Sequence, residues 1–258
     1  MQKRYHTLEN IIFDAIVYLV MAFVLICCLV PFIYMLAVSF SGTKPLINGE
    51  VFLWPKDFTL DSYKQIFTYP NFFKAYGNTF LYAVGGTAIA LIMTSLMAYP
   101  LSKTFLWGNK FFTKMVVVTM FFSGGMIPTY LNMKSLHLTG SLWGLILPFM
   151  ISVYNLIILK TSFASIPESL IEAARIDGAS HLKVLFSIVL PLSKAILAVM
   201  VLYYGVGVWN GWFWASAILR DREMYPLQLV LREILLQNST SNMTGGTSVG
   251  DVESVAAT

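Results

Sequence analysis

The sequence predicts an all-α fold, a polytopic bundle of transmembrane helices. Three observations carry that prediction. Charged residues make up 12% of the 258 positions, about half of the roughly 25% usual in soluble domains. Hydrophobic residues make up 57% and the mean hydropathy is +0.70, more apolar surface than one soluble core of this size can hide. The apolar residues also gather in long runs that do not alternate with period two, which excludes a lipid-facing β-barrel. Disorder, a coiled coil and an ordinary cytosolic enzyme are excluded with it. A net charge of +4, dispersed along the chain, gives no basic patch for nucleic acid.

Five runs are visible. The first covers about residues 15–40, broken by Pro31, and is too long for a signal-peptide core of about 7–15 residues, so it reads as a retained anchor. It contains the adjacent cysteines Cys27 and Cys28, which read as small packing or lipid-facing residues. The others cover about 79–101, 115–131, 142–163 and 192–219. Each is long enough to cross about 30 Å of hydrocarbon, the third only just. The expected division is an anchor helix with outer loop over 1–78, then a membrane domain over 79–258.

Basic residues are denser on the N-terminal side of the spans: Lys3, Arg4, Lys103, Lys110, Lys114, Lys160, Arg175, Lys183 and Lys194. This bias places the N-terminus and the 165–191 segment in the cytoplasm. Gly86, Ala90, Thr94 and Ala98 form a small-residue row in the second span, and Gly207, Gly211 and Ala215 another in the fifth; such rows let helices approach closely in lipid. Gly124, Gly125 and Pro128 predict a broken third span,. No charged residue lies mid-span, which argues against an ion-coupled carrier. The chain has no phosphate-binding Gly-rich loop and no metal-ligand spacing,, so it reads as non-catalytic, with no cofactor of its own.

Residues 165–191 are the informative segment. Ser165 and Glu168 have capping-box spacing and Pro167 fits a first turn. Leu170, Ile171 and Ala174 repeat at helical spacing, and Gly178 falls where a helix would stop with φ > 0. Ser180 can cap a second helix, and Pro191 marks the start of the fifth span. Glu172 beside Ala173 and Ala174 suits insertion into a partner's cleft. Glu168, Glu172 and Asp177 form an acidic cluster that disfavours docking on an anionic leaflet.

The run Glu172-Ala173-Ala174, then Gly178, Ile188, Leu190 and Pro191, resembles the EAA motif of membrane subunits of binding-protein-dependent ABC importers. The flanks are similar to those of maltose-type permeases. Phe122 to Tyr130, Trp209 to Phe213 and Tyr225 to Leu231 resemble an oligosaccharide subgroup. The resemblance implies the transmembrane domain of a type I ABC importer, in a bacterial cell membrane, that imports sugars or oligosaccharides; the family pattern has a sixth span after the outer loop, of which residues 251–258 resemble the first turn, so the sixth span is expected to be missing. It implies a sister permease in a heterodimer, two cytoplasmic ATPase subunits that bind ATP and Mg, and an extracellular solute-binding protein. It further implies that Glu168, Glu172, Ala173, Ala174, Asp177 and Gly178 form the ATPase-coupling surface.

Tyr154, Asn155, Trp209, Asn210 and Trp212 are the candidate substrate-pathway residues, because sugars stack on aromatic faces and bond to amides; an interfacial aromatic belt is the alternative for the tryptophans. Residues 227–236 predict a short amphipathic helix and 237–250 a polar loop. Three other functions stay open at this level. They are an importer of amino acids, peptides or other solutes from the same family, a membrane scaffold without transport, and an ion-coupled carrier.

Overall fold

The computed structural model describes residues 8–103 and 106–244, with side chains over 11–103 and 106–236. The residues of the expected sixth span, 251–258, lie outside these, as do Lys3 and Arg4. The described residues are helical, with no strand among them. They divide into two compact units, one running to Pro70 and including the chain from Leu236, the other Asn71–Leu235.

In the first unit, α1 (Leu8–Ser39) is a 32-residue helix that carries Pro31 within it. From residue 11 onward its side chains are apolar on every face and exposed almost throughout, as expected of a helix whose solvent is lipid. At about 1.5 Å per residue it exceeds the hydrocarbon thickness. Beyond it, the Ser41 hydroxyl donates to the Ala37 carbonyl at 2.6 Å and accepts from the Lys56 amide at 3.1 Å. Phe40 stacks on Phe58 and Tyr63. These contacts gather α2 (Thr43–Ile47) and α3 (Asp61–Thr68) at the end of α1.

The second unit is built around α4 (Phe72–Leu101). Among the described residues, only α1 and α4 are unbroken helices long and apolar enough to cross a membrane, and the number rises to as many as five when each bent pair counts as one span. In the first pair, α5 (Asn109–Phe121) and α6 (Met126–Ser135) meet at 115°. The break falls at the predicted glycines: Phe122 is extended and Gly125 has φ +85°, ψ −179°, a region essentially closed to residues with a Cβ. The second pair was expected to be one continuous span. Instead α7 (Leu142–Ile146) tightens into a 3₁₀ turn at Leu147–Phe149, and α8 (Val153–Ala164) departs at 51°. Pro148 lacks an amide hydrogen and Ser152 caps α8, its hydroxyl accepting from the Asn155 amide, so the helix restarts there.

The 165–191 segment forms α9 (Glu168–Ile176) and α10 (His181–Val184). A π-helical turn over Leu185–Val189 leads into α11 (Leu190–Leu192). The wide turn precedes Pro191, which has no amide to offer the helix. After an 87° bend at Ser193, α12 (Lys194–Trp209) enters the bundle. It stops at Asn210, and α13 (Trp212–Ile218) starts afresh, so the predicted 192–219 span is two helices. α14 (Leu227–Thr244) begins where expected but continues past Leu236 into the predicted polar loop.

The α4 row Gly86, Ala90, Thr94 and Ala98 is buried, and α4 packs on α8 and α12 along it. The fifth-span row does not form one stripe: Gly211 lies in the break and only Ala215 is buried. The core joins Ala90, Ala98 and Tyr99 of α4 to Leu156, Leu159 and Phe163 of α8. It extends to Ile171 of α9 and Met200 of α12. Burying one such leucine or phenylalanine is worth about 1.5–3 kcal/mol against water, but in lipid close packing carries the association.

Candidate functional site

Two regions of the second unit carry candidate residues. The first is the hairpin of α9 and α10. Its entry differs from the predicted capping box. Ser165 closes α8 instead, its hydroxyl donating to the Ser162 carbonyl at 2.7 Å, and Pro167 is the N-cap of α9 with no side-chain cap. A serine that follows a helix without a gap can satisfy that helix's last carbonyls, and here it does. Glu168 still sits in the first turn, where a carboxylate suits the helix dipole. Gly178 makes the turn with φ +80°, and the Ser180 hydroxyl accepts from the Lys183 amide, capping α10.

α9 has two faces. Ile171 is 3% exposed and Ala174 packs against the core, so Ala174 faces this chain's own bundle. Glu168, Glu172, Ala173, Asp177 and Gly178 are exposed. With them lies Ile176, 86% exposed, an apolar side chain left bare among the described residues. An exposed carboxylate, a minimal side chain and a bare isoleucine on one short hairpin form a surface fit for close docking.

The second region is an open cavity of about 930 Å³ lined by three walls. Thr79, Tyr82, Gly86 and Ala90 of α4 form one wall; Phe149, Ser152, Tyr154 and Asn155, at the break between α7 and α8, form the second. Tyr203, Tyr204, Gly207, Gly211 and Trp214 form the third. Every named wall residue is uncharged. The Tyr204 hydroxyl accepts from the Ser152 amide at 3.1 Å and shares a 2.7 Å hydrogen bond with the Thr94 hydroxyl, so it satisfies a backbone donor that the helix break frees. Tyr154 and Tyr203 pair with ring centroids 6.4 Å apart, and Phe149 with Trp214 at 5.1 Å.

The predicted pathway residues therefore divide. Tyr154 and Asn155 line the cavity. Trp209, Asn210 and Trp212 do not, and each has a structural partner. Trp209 meets Tyr76 edge-on, Asn210 accepts from the Gln228 amide, and Trp212 lies under the Arg232 guanidinium at 3.3 Å. The break at Asn210–Gly211 re-aims α13 so that Trp214 faces inward in their place. Tyr203 and Tyr204 were missed from sequence; the adjacent tyrosines in an aliphatic run were the available signal. Over the cavity's Thr79 and Tyr82, the segment from Arg222 to Leu227 is strapped down. Tyr82 donates to the Met224 carbonyl, Asn78 to the Glu223 and Tyr225 carbonyls, and the Leu227 amide to Thr79. Among the described residues, no three His, Cys, Asp or Glu side chains are grouped to hold a metal ion.

Residues 111–250 match the family described as "Binding-protein-dependent transport system inner membrane component". The chain belongs to that family. The match covers the helical hairpin and the second and third cavity walls. Among curated relatives, Protein LplC of Bacillus subtilis (strain 168) is 41% identical over 94% of this chain and 83% of its own length. The polygalacturonan/rhamnogalacturonan transport system permease protein YtcP of the same organism is 41% identical over 90% of this chain and 81% of its own. Among solved structures, a chain of a bacterial ABC transporter involved in the import of the acidic polysaccharide alginate superposes with a TM-score of 0.87 at 32% identity. That match covers 99% of this chain and 92% of the other. This family member is thus an all-α ABC-importer permease, a transport subunit of a bacterial membrane.

Proposed function

We propose that this chain is the permease subunit of an ATP-driven importer of oligosaccharides. It would form half of a translocation pathway with a sister permease and take its solute from an extracellular binding protein. The observation that carries the reading is the pairing of an exposed docking hairpin with a charge-free aromatic cavity, through one packed core. The names of the relatives support the sugar class: polygalacturonan and rhamnogalacturonan for YtcP, arabinooligosaccharides for AraQ of Bacillus subtilis. The cavity's chemistry suits it too. The faces of Tyr154, Tyr203 and Trp214 offer stacking to the apolar side of a pyranose, and the Asn155 amide and Ser152 hydroxyl offer hydrogen bonds to its rim,.

The hairpin is the coupling element. It lies on the cytoplasmic side together with the N-terminus and meets one of two ATPase subunits, in which ATP and Mg act. Glu172 pairs with a basic group of that subunit, Ala173 allows close approach, Asp177 and Glu168 extend the acidic surface, and Gly178 holds the turn. Ala174 supports the same surface from behind. When the ATPases close on nucleotide, they carry the hairpin with them, and the cavity changes the side to which it opens. The anchor and outer loop over 1–78 and the membrane domain over 79–258 are the working division of the subunit.

Uptake into proteoliposomes tests this, with the chain, its sister permease, the ATPase and the binding protein together. Labelled oligosaccharide should enter only with ATP inside or outside on the ATPase face. Uptake that persists with a hydrolysis-dead ATPase would instead favour an ion-coupled carrier, and amino-acid or peptide uptake without sugar uptake would move the substrate class.

A further inference from the structure

α4 is the helix that reaches from the cavity to the hairpin. Thr79, Tyr82, Gly86 and Ala90 line the cavity, while Tyr99 and Leu101, at the other end, share a core with Ile171 and Val184 of the hairpin. Tyr99 meets two further groups. The Lys103 ammonium lies 5.7 Å from its ring centroid, and the His181 imidazole, at the start of α10, lies 6.4 Å from it. Both distances are within the range of cation–π and aromatic pairing.

Lys103 is itself unusual. It is 7% exposed, and lysine is among the residues least often buried. Burial pulls its amine below the ordinary value, and the Glu168 carboxylate on the first turn of α9 opposes that pull. Its backbone is fastened as well. The Asn109 amide donates to the carbonyls of Leu101 and Lys103. Thr113 donates to Asn109, and the Lys160 ammonium donates to Thr113 at 3.0 Å. The turn between α4 and α5 is thereby tied to α8 while its lysine faces the hairpin. Neither the cavity nor the exposed face of the hairpin has a use for this arrangement.

We propose that the Lys103–Tyr99–His181 cluster is a positioning joint, through which displacement of the α9–α10 hairpin is passed to α4 and so to the cavity wall. The proposal rests on the transport reading above. Lys103 and Tyr99 act through the hairpin and touch neither solute nor nucleotide. The joint needs a cation over the ring, which arginine can supply and methionine, of similar length, cannot.

The test uses the full transporter in proteoliposomes and reads solute molecules imported per ATP hydrolysed. Lys103→Met should assemble with its partners and keep basal hydrolysis within about twofold, while import per ATP falls by on the order of tenfold, as loss of a desolvated cation–π contact allows. Tyr99→Leu should behave likewise, and Lys103→Arg should remain coupled. Full coupling in assembled Lys103→Met or Tyr99→Leu overturns the joint. So does uncoupling in Lys103→Arg equal to that in Lys103→Met, because charge then has no part. Failure of Lys103→Met to assemble would mark a folding residue and also overturn it. A wild-type complex that hydrolyses ATP without uptake contradicts the transport reading itself and removes the joint with it.

Discussion

Gly178 turns the hairpin with φ +80° in open space, with no atom near enough to touch an added Cβ. Gly178→Ala therefore acts through the backbone alone, at about 1 kcal/mol. Detergent melts should show a small shift, while ATP-driven uptake drops further than that shift explains. Thr79 is a different case. Its buried hydroxyl accepts from the Leu227 amide at 2.7 Å and donates to the Ala75 carbonyl. Thr79→Val keeps the shape but leaves a buried donor unmatched, at about 1–3 kcal/mol, and the melting temperature should fall clearly. Lys74 and Glu223 form an equally short link at 2.7 Å, yet both are about half exposed or more. Lys74→Ala should cost under about 1 kcal/mol, because water screens such pairs, and a melt within a degree or two of wild type is expected.

At the scale of elements, breaks decide what the helices can do. The α5–α6 break was legible because Gly124, Gly125 and Pro128 stand together. Gly125→Ala should cost about 1–3 kcal/mol for its forbidden backbone region, and a melt unchanged from wild type would show that the 115° bend relaxes freely. The other breaks hid inside continuous hydropathy. Pro148 and Ser152, Ser193, and Asn210 with Gly211 interrupt helices without interrupting apolar runs, since small polar groups barely change a window average. The second arm of the hairpin was legible through Ser180, whose cap is local. The first arm was misread at Ser165, because one serine cannot be assigned to the helix behind it or ahead of it by spacing alone.

Across the bundle, the membrane class and the location of the hairpin were readable from composition and punctuation, while the cavity was only half readable. Tyr154 and Asn155 reach it, but Tyr203 and Tyr204 converge on it through contacts between α4, α8 and α12 that no local pattern encodes. After the break at Asn210–Gly211, Trp214 and not Trp212 lines the cavity. Trp214→Ala should lower the rate of sugar uptake by about tenfold, equivalent to about 1.4 kcal/mol, and Trp212→Ala by much less, because Arg232 already covers that ring. Equal losses in the two variants would show that the cavity is not the route.

The docking role of the hairpin is tested most directly by proximity. In a background with Cys27 and Cys28, both exposed, replaced by serine, Ala173→Cys should cross-link to a cysteine in the groove of the partner ATPase. The yield should change when nucleotide is added. An Ala173→Cys transporter that still imports solute but never cross-links to the ATPase, with or without nucleotide, would contradict the account.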